Sequence, residues 1–97
     1  MVYILTQTYK KGKSAPTTTL QMAFTEMENA ESAIQNLVEG QKEVMGEDNL
    51  TIEELTDVLF GIRVSYKEKR STCVIDRYIV EVPEEDEKTH SNLESLN

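Results

Sequence analysis

Tryptophan is absent from this chain, and cysteine and histidine occur once each, as Cys73 and His90. A single thiol rules out an internal disulfide framework, and two soft ligands are too few for a structural zinc site. No metal and no cofactor is expected. No apolar run approaches the ~20 residues that span a bilayer, and Met1-Val2-Tyr3-Ile4-Leu5 has neither the basic start nor the small-residue cleavage site of a secretory leader. A cytoplasmic protein without membrane association is the resulting expectation.

Bases are scarce as well: ten Lys and Arg stand against eighteen Asp and Glu, for a formal charge of −8. Sequence-independent binding to DNA, RNA or anionic membrane needs clustered Lys and Arg, so direct nucleic-acid binding is not expected and a neutral or basic protein partner is. The charge is distributed in blocks. Residues 1–25 carry +3, Glu26 to Asp57 carries −9 with Lys42 as its one base, residues 58–80 carry +3, and residues 81–97 carry −5. Basic loop tips and an acidic helical face follow.

Ninety-seven residues can bury one core and not a second. Val2 to Tyr9 is rich in Tyr, Ile, Leu and Thr, which suit a strand. Lys10 to Pro16 reads as a loop, and Thr17 to Phe24 alternates so that Leu20, Met22 and Phe24 share a face. Thr25-Glu26-Met27-Glu28 has the form of a capping box, and from Met27 the residues Ala30, Ile34, Leu37, Val38 and Met45 gather on one side of a helix. Gly40 is expected to bend or end that helix, and Gly46-Glu47-Asp48-Asn49 to break it. A second capping box, Thr51-Ile52-Glu53-Glu54, followed by Leu55, Val58 and Leu59, predicts a short second helix stopped by Gly61. Ile62, Val64 and Tyr66 alternate in a third strand, Lys67 to Ser71 forms a charged turn, and Thr72 to Val82 is the longest strand, ended by Pro83.

The expected fold is therefore α+β: a four-stranded, mainly antiparallel sheet in ββααββ order, both helices on one face, within residues 1–83. The expected core is Leu5, Leu20, Met22, Phe24, Met27, Ala30, Ile34, Leu37, Leu55, Leu59, Val64 and Val80. Residues 84–97 are polar and acidic without periodicity, which predicts a disordered tail. On the first and last strands both faces are partly apolar, whereas a wet sheet face should alternate to polar residues. These two strands should be adjacent and central, with Ile75 and Ile79 on a second face covered by a homodimer partner, by another part of the chain, or by nothing.

Motifs of catalysis are missing. Gly12-Lys13-Ser14 resembles the end of a phosphate-binding loop, yet Gln7 stands where the first Gly is needed and no helix can follow through Pro16. A cysteine in an apolar strand is commonly a small core residue, and no base can be nominated for Cys73. Glu47, Asp48, Asn49, Glu53 and Glu54 lack the alternation and central Gly of a calcium loop. Asn49-Leu50-Thr51 is a glycosylation sequon without a secretory context. Nothing here makes a case for an enzyme.

The order of an opening strand Val2-Tyr3-Ile4-Leu5-Thr6, a second strand, a helix entered through Phe24-Thr25-Glu26-Met27-Glu28-Asn29-Ala30-Glu31 and a closing strand Tyr78-Ile79-Val80-Glu81-Val82 resembles small bacteriophage accessory proteins of the host-takeover type. The likeness covers about two thirds of the chain. It implies a non-enzymatic protein that binds a host factor, acidic members acting as DNA mimics or inhibitors of nucleic-acid-binding proteins. The stretch from Gln41 to Ser71 is longer than in the simplest of them. Read with the charge map, this gives an acidic inhibitor of a basic nucleic-acid-binding protein, acting through Glu28, Glu31, Glu39, Glu43, Glu47, Asp48, Glu53 and Glu54. The alternative is an assembly subunit that oligomerises through the second apolar sheet face.

Overall fold

The computed structural model describes residues 1–83; the expected tail and His90 lie outside the described residues. Strand β1 (Val2–Lys11) turns back through Gly12 to β2 (Thr17–Phe24), and helix α1 (Met27–Met45) follows. A 3-10 turn at Glu47–Asn49 leads to β3 (Thr51–Glu54), β4 (Phe60–Glu68) and β5 (Ser71–Val82). The sheet has five strands in the order β2-β1-β5-β4-β3, and every neighbouring pair is antiparallel. The coarse expectation of an α+β chain with an antiparallel sheet holds; five strands replace four, and one helix replaces two.

The second helix is the main correction. Thr51 to Glu54 pairs with β4, Thr51 opposite Ser65 and Glu54 opposite Ile62, and the chain then bends through Leu55 to Leu59. An isolated two-turn helix is marginal in water, whereas the edge of β4 offers a ladder of backbone partners. Gly61 is therefore no helix stop. It sits inside β4, and an added Cβ there would lie 2.9 Å from Val58 Cγ2 and 3.0 Å from Leu55 Cδ1 and Tyr78 Cβ. Its missing side chain is what lets the 55–59 bend lie down on the sheet.

Helix α1 starts one residue off the capping box. Glu26 is the N-cap, without a side-chain cap hydrogen bond, so Thr25 and Glu28 do not cap each other. The helix also runs straight through Gly40, against the expected break, and ends where expected, at Gly46 with φ +88. Asn49 Nδ2 donates to the Met45 carbonyl at 2.8 Å, which satisfies one of the free carbonyls of the last turn.

Ala30, Ile34 and Val38 form the inward stripe of α1, and they close over Leu5, Val64 and Ile79. Tyr3, Leu20, Phe24, Met27, Phe60 and Ile62 pack around this core. Three expected core residues are exposed: Met22 at 42%, Leu59 at 52% and Val80 at 45%. Leu37 and Leu55 are half-buried. For Val80 the reason is the pairing of Leu5 with Ile79, and of Val64 with Ile75. Side chains alternate across a strand, so Ile75 and Ile79 share the helix-covered face with Leu5, and Val80 falls on the other side. The assignment of Ile75 and Ile79 to an uncovered face is thus inverted: Ile79 is fully buried beneath α1. Strands β1 and β5 are neighbours, as their doubly apolar pattern suggested, and β5 is the middle strand.

Candidate interaction surfaces

Three surfaces stand out: the outer side of α1, the sheet face away from α1, and the sheet end formed by two hairpin tips.

On the helix, Glu28, Glu39 and Glu43 are exposed, and Glu31 is half-buried on its flank. Glu47 and Asp48 continue the exposed carboxylates into the following turn. Lys42 stands among them, donating to Glu39 Oε1 at 3.0 Å and lying 3.6 Å from Glu47 Oε1, and these partners raise its pKa. Glu53 and Glu54 are not part of this surface. They lie on the edge strand β3, exposed and on alternate faces, with Glu53 opposite Arg63 on the side away from α1. Of the eight acids singled out in the sequence, the structure brings five exposed ones and Glu31 to the helix and its end, and sets two apart.

The sheet face away from α1 is covered in part by the 55–59 bend, whose Leu55 and Val58 lie against Gly61 and Tyr78, and along β1 and β5 it has an apolar half and a polar half. Val2 pairs with Val82 and Ile4 with Val80, forming a small apolar patch at the end where β5 finishes. Further along come Thr6 opposite Tyr78 and Thr8 opposite Asp76. Arg63 grips Asp76 with both arms, Nε to Oδ1 at 2.7 Å and Nη2 to Oδ2 at 3.0 Å. That contact raises the Arg63 pKa and outweighs burial, which acts in the opposite direction. Two shallow clefts flank the pair, one of about 400 Å³ reaching Lys10, Pro16 and Val74, the other of about 380 Å³ under the bend at Glu53–Val58. Both share Tyr78. The fork uses two of the five guanidinium N–H donors, and the carboxylate offsets the charge that a ligand would meet.

The third surface comes from register. Lys10 pairs with Val74, Lys11 with Cys73 and Lys67 with Thr72, and the Gly12 amide donates to the Thr72 carbonyl at 2.9 Å, so the β1–β2 and β4–β5 tips sit side by side. Lys10, Lys11, Lys13, Lys67, Lys69 and Arg70 gather there. Glu68 binds Lys11 at 3.4 Å, and Lys67 donates to Thr72 Oγ1 at 2.8 Å. Among the described residues no ion pair engages Lys10, Lys13, Lys69 or Arg70. The basic loop tips expected from block charges are a single basic end.

Side-chain sites for chemistry are sparse. Cys73 is buried, with its Sγ 3.5 Å from the Tyr9 hydroxyl and 3.7 Å from Glu68 Oε2. Arg77 is 5% exposed under α1, where its Nε donates to Gln7 Oε1 at 2.6 Å and its Nη1 to Gln41 Oε1 at 2.9 Å; burial lowers its pKa. Neither Arg63, Arg77 nor Tyr78 was distinguishable in the sequence, since strand pairing alone brings their partners to them. Among the described residues no three of His, Cys, Asp or Glu meet as a metal cluster, and no helix is long and apolar enough to cross a membrane. No family model matches the chain, and no curated protein or solved structure matches it either. What the molecule does has to be argued from its own surfaces.

Proposed function

We propose that the protein is a non-catalytic binding module whose acidic helix exterior engages a basic protein, of the nucleic-acid-binding class, and occludes the surface that would take phosphates. One observation carries this reading: Glu28, Glu39, Glu43, Glu47 and Asp48 are all exposed on α1 and its terminal turn, with Lys42 as their only base. Such a surface attracts a positive groove from a distance and sets specificity through complementary potential. The test is capture from nuclease-treated bacterial lysate by the wild type and by Glu28→Lys/Glu39→Lys/Glu43→Lys/Asp48→Lys. A basic nucleic-acid-binding protein held by the wild type, lost in the variant and released when salt shortens screening well below the ~10 Å of 0.1 M supports it. Equal capture by both proteins ends it.

A second reading has its own observation. Val80 is 45% exposed on the sheet face away from α1, beside Ile4, Val2 and Val82 and next to the 55–59 bend that covers part of that face, which favours an assembly subunit that self-associates there. Val80→Lys should then leave a monomer with an unchanged melt.

A further inference from the structure

We propose that β2 is the edge through which two copies of the chain join, the two β2 strands pairing antiparallel about a twofold axis at Met22 to make one continuous sheet. The contact uses neither the acidic helix exterior nor Val80.

The two edges of the sheet are protected differently. An edge strand carries unpaired N–H and C=O groups, and proteins shield it by shortness, charge, proline or bulges. β3 is four residues long and includes Glu53 and Glu54. β2 is eight residues long and has β1 on one side and, among the described residues, no strand on the other. It lies within Ser14 to Thr25, the longest run without a charged residue in the chain. Its one safeguard is a bulge. Gln7 faces Leu20 and Thr8 faces Thr18, which leaves Thr19 as the extra residue, its hydroxyl donating to the Gln7 carbonyl at 3.3 Å. Beyond it, Leu20 to Phe24 pairs regularly with β1 and leaves its outer edge open.

The side chains of that segment decide what fits there. Met22 pairs with Leu5 and so shares the helix side of the sheet with Leu20 and Phe24. Leu20 and Phe24 pack on the core, whereas Met22 is 42% exposed. Residues directly opposite each other in an antiparallel pair lie on one face, and a twofold contact sets each residue against the same partner in both directions. With the axis at Met22, that residue faces its own copy, Leu20 faces Phe24, and Gln21 faces Ala23. Leu20, Met22 and Phe24 of both copies then line one apolar seam, and the bulged Thr19 stays outside the ladder. An axis at Gln21 would bring Thr19 into it, opposite Ala23. A second copy suits this seam because its own edge repeats the row and adds no charge to it. Two molecules of charge −8 repel one another, and they meet most readily where neither presents a charged side chain.

Sedimentation equilibrium of the full chain tests this. The wild type should dimerise, and more tightly as NaCl rises from about 50 mM to about 500 mM and screens the repulsion between copies. Met22→Lys and Met22→Glu should each raise the dimer dissociation constant at least ~10-fold, through lost apolar burial and like charges set directly opposite. An equimolar mixture of the two variants should regain association, because position 22 of one copy meets position 22 of the other. Val80→Lys should leave the dimer intact. Hydrogen exchange of the wild type at about 5 μM and about 500 μM reads the same contact without a substitution: amides of Leu20 to Phe24 that point away from β1 should slow with concentration, and those of Thr51 to Glu54 should not. The proposal is overturned by a wild type that stays monomeric to about 500 μM, by β2 amides indifferent to concentration, by variants that dimerise as the wild type does, or by a mixture no better than its parts. A dimer lost with Val80→Lys and kept with Met22→Lys places the contact on the sheet face and overturns the edge.

Discussion

At the scale of single residues, a thiol sets the ionisation of a phenol. Tyr9 Oη lies 3.5 Å from Cys73 Sγ, and Cys73 Sγ donates to Glu68 Oε2 at 3.7 Å, so the phenol is left to donate its own proton to sulfur. That hydrogen bond first, and desolvation second, push the Tyr9 pKa from 10.0 up to about 12. The folded state therefore favours the neutral phenol. Its contribution to stability is complete below the unfolded value near 10 and is lost as pH rises through about 12. Cys73→Ala should bring the Tyr9 midpoint back toward 10, read as tyrosinate absorbance in an alkaline titration; an unmoved midpoint would show that the sulfur is irrelevant. Arg77 is the other residue whose setting decides its behaviour. A buried guanidinium that gathers Gln7 of β1 and Gln41 of α1 pins the helix to the sheet. Arg77→Ala should cost about 2–3 kcal/mol, the range of hydrogen bonds to a charged group, measured by urea denaturation.

At the scale of elements, Gly40 offers a clean test, because α1 runs through it and an added Cβ would meet nothing within 4 Å. Gly40→Ala should stabilise the protein by about 0.5–1 kcal/mol, through helix propensity and a less free unfolded chain. Gly61→Ala should do the reverse, costing about 1–3 kcal/mol by forcing Leu55 and Val58 off the sheet. Both glycines look alike in the sequence, where Gly40 is expected to bend or end a helix and Gly61 to stop one. The difference between them is tertiary: one faces water, the other a folded-down bend. The strands were legible because Leu20 and Phe24, or Ile62 and Val64, recur with period two over a long enough run. Ile52, Leu55, Val58 and Leu59 were misread because spacings of three and four over eight residues also fit a short edge strand followed by a bend. β-Branched Thr51 and Ile52 favour the strand, and only β4 lying alongside decides the matter. Ile79 and Val80 were exchanged for a similar reason: an apolar residue on each face leaves the direction of burial to the helix, which covers the side bearing Leu5. The helix acids were legible as a set, but their separation from Glu53 and Glu54 was not, since it depends on that same misread segment.

At the scale of the whole molecule, charge is sorted rather than mixed. Carboxylates crowd the helix exterior, the unpaired cations crowd one sheet end, and the net charge is −8. The visible ion pairs do little to offset this: Lys11–Glu68 is about half exposed on both sides, and Lys42 meets partners that are 65% and 72% exposed. Exposed pairs contribute roughly 0–1 kcal/mol each and are screened by salt. Repulsion among the acids is screened by the same salt, and with eight acids in excess it is the larger of the two effects. Raising NaCl from about 10 mM to about 300 mM, which contracts the Debye length from ~30 Å to below 10 Å, should therefore raise the thermal midpoint. Relief of about 1 kcal/mol corresponds to a rise of roughly 4–8 °C in a domain of this size. Glu39→Gln/Glu43→Gln should shrink that rise by removing two of the crowded charges, while Lys13→Gln/Arg70→Gln should enlarge it by stripping cations from the basic sheet end. A midpoint that falls with salt would mean that the Arg63–Asp76 grip and its weaker companions outweigh the repulsion, and that the sorted charge costs the fold nothing.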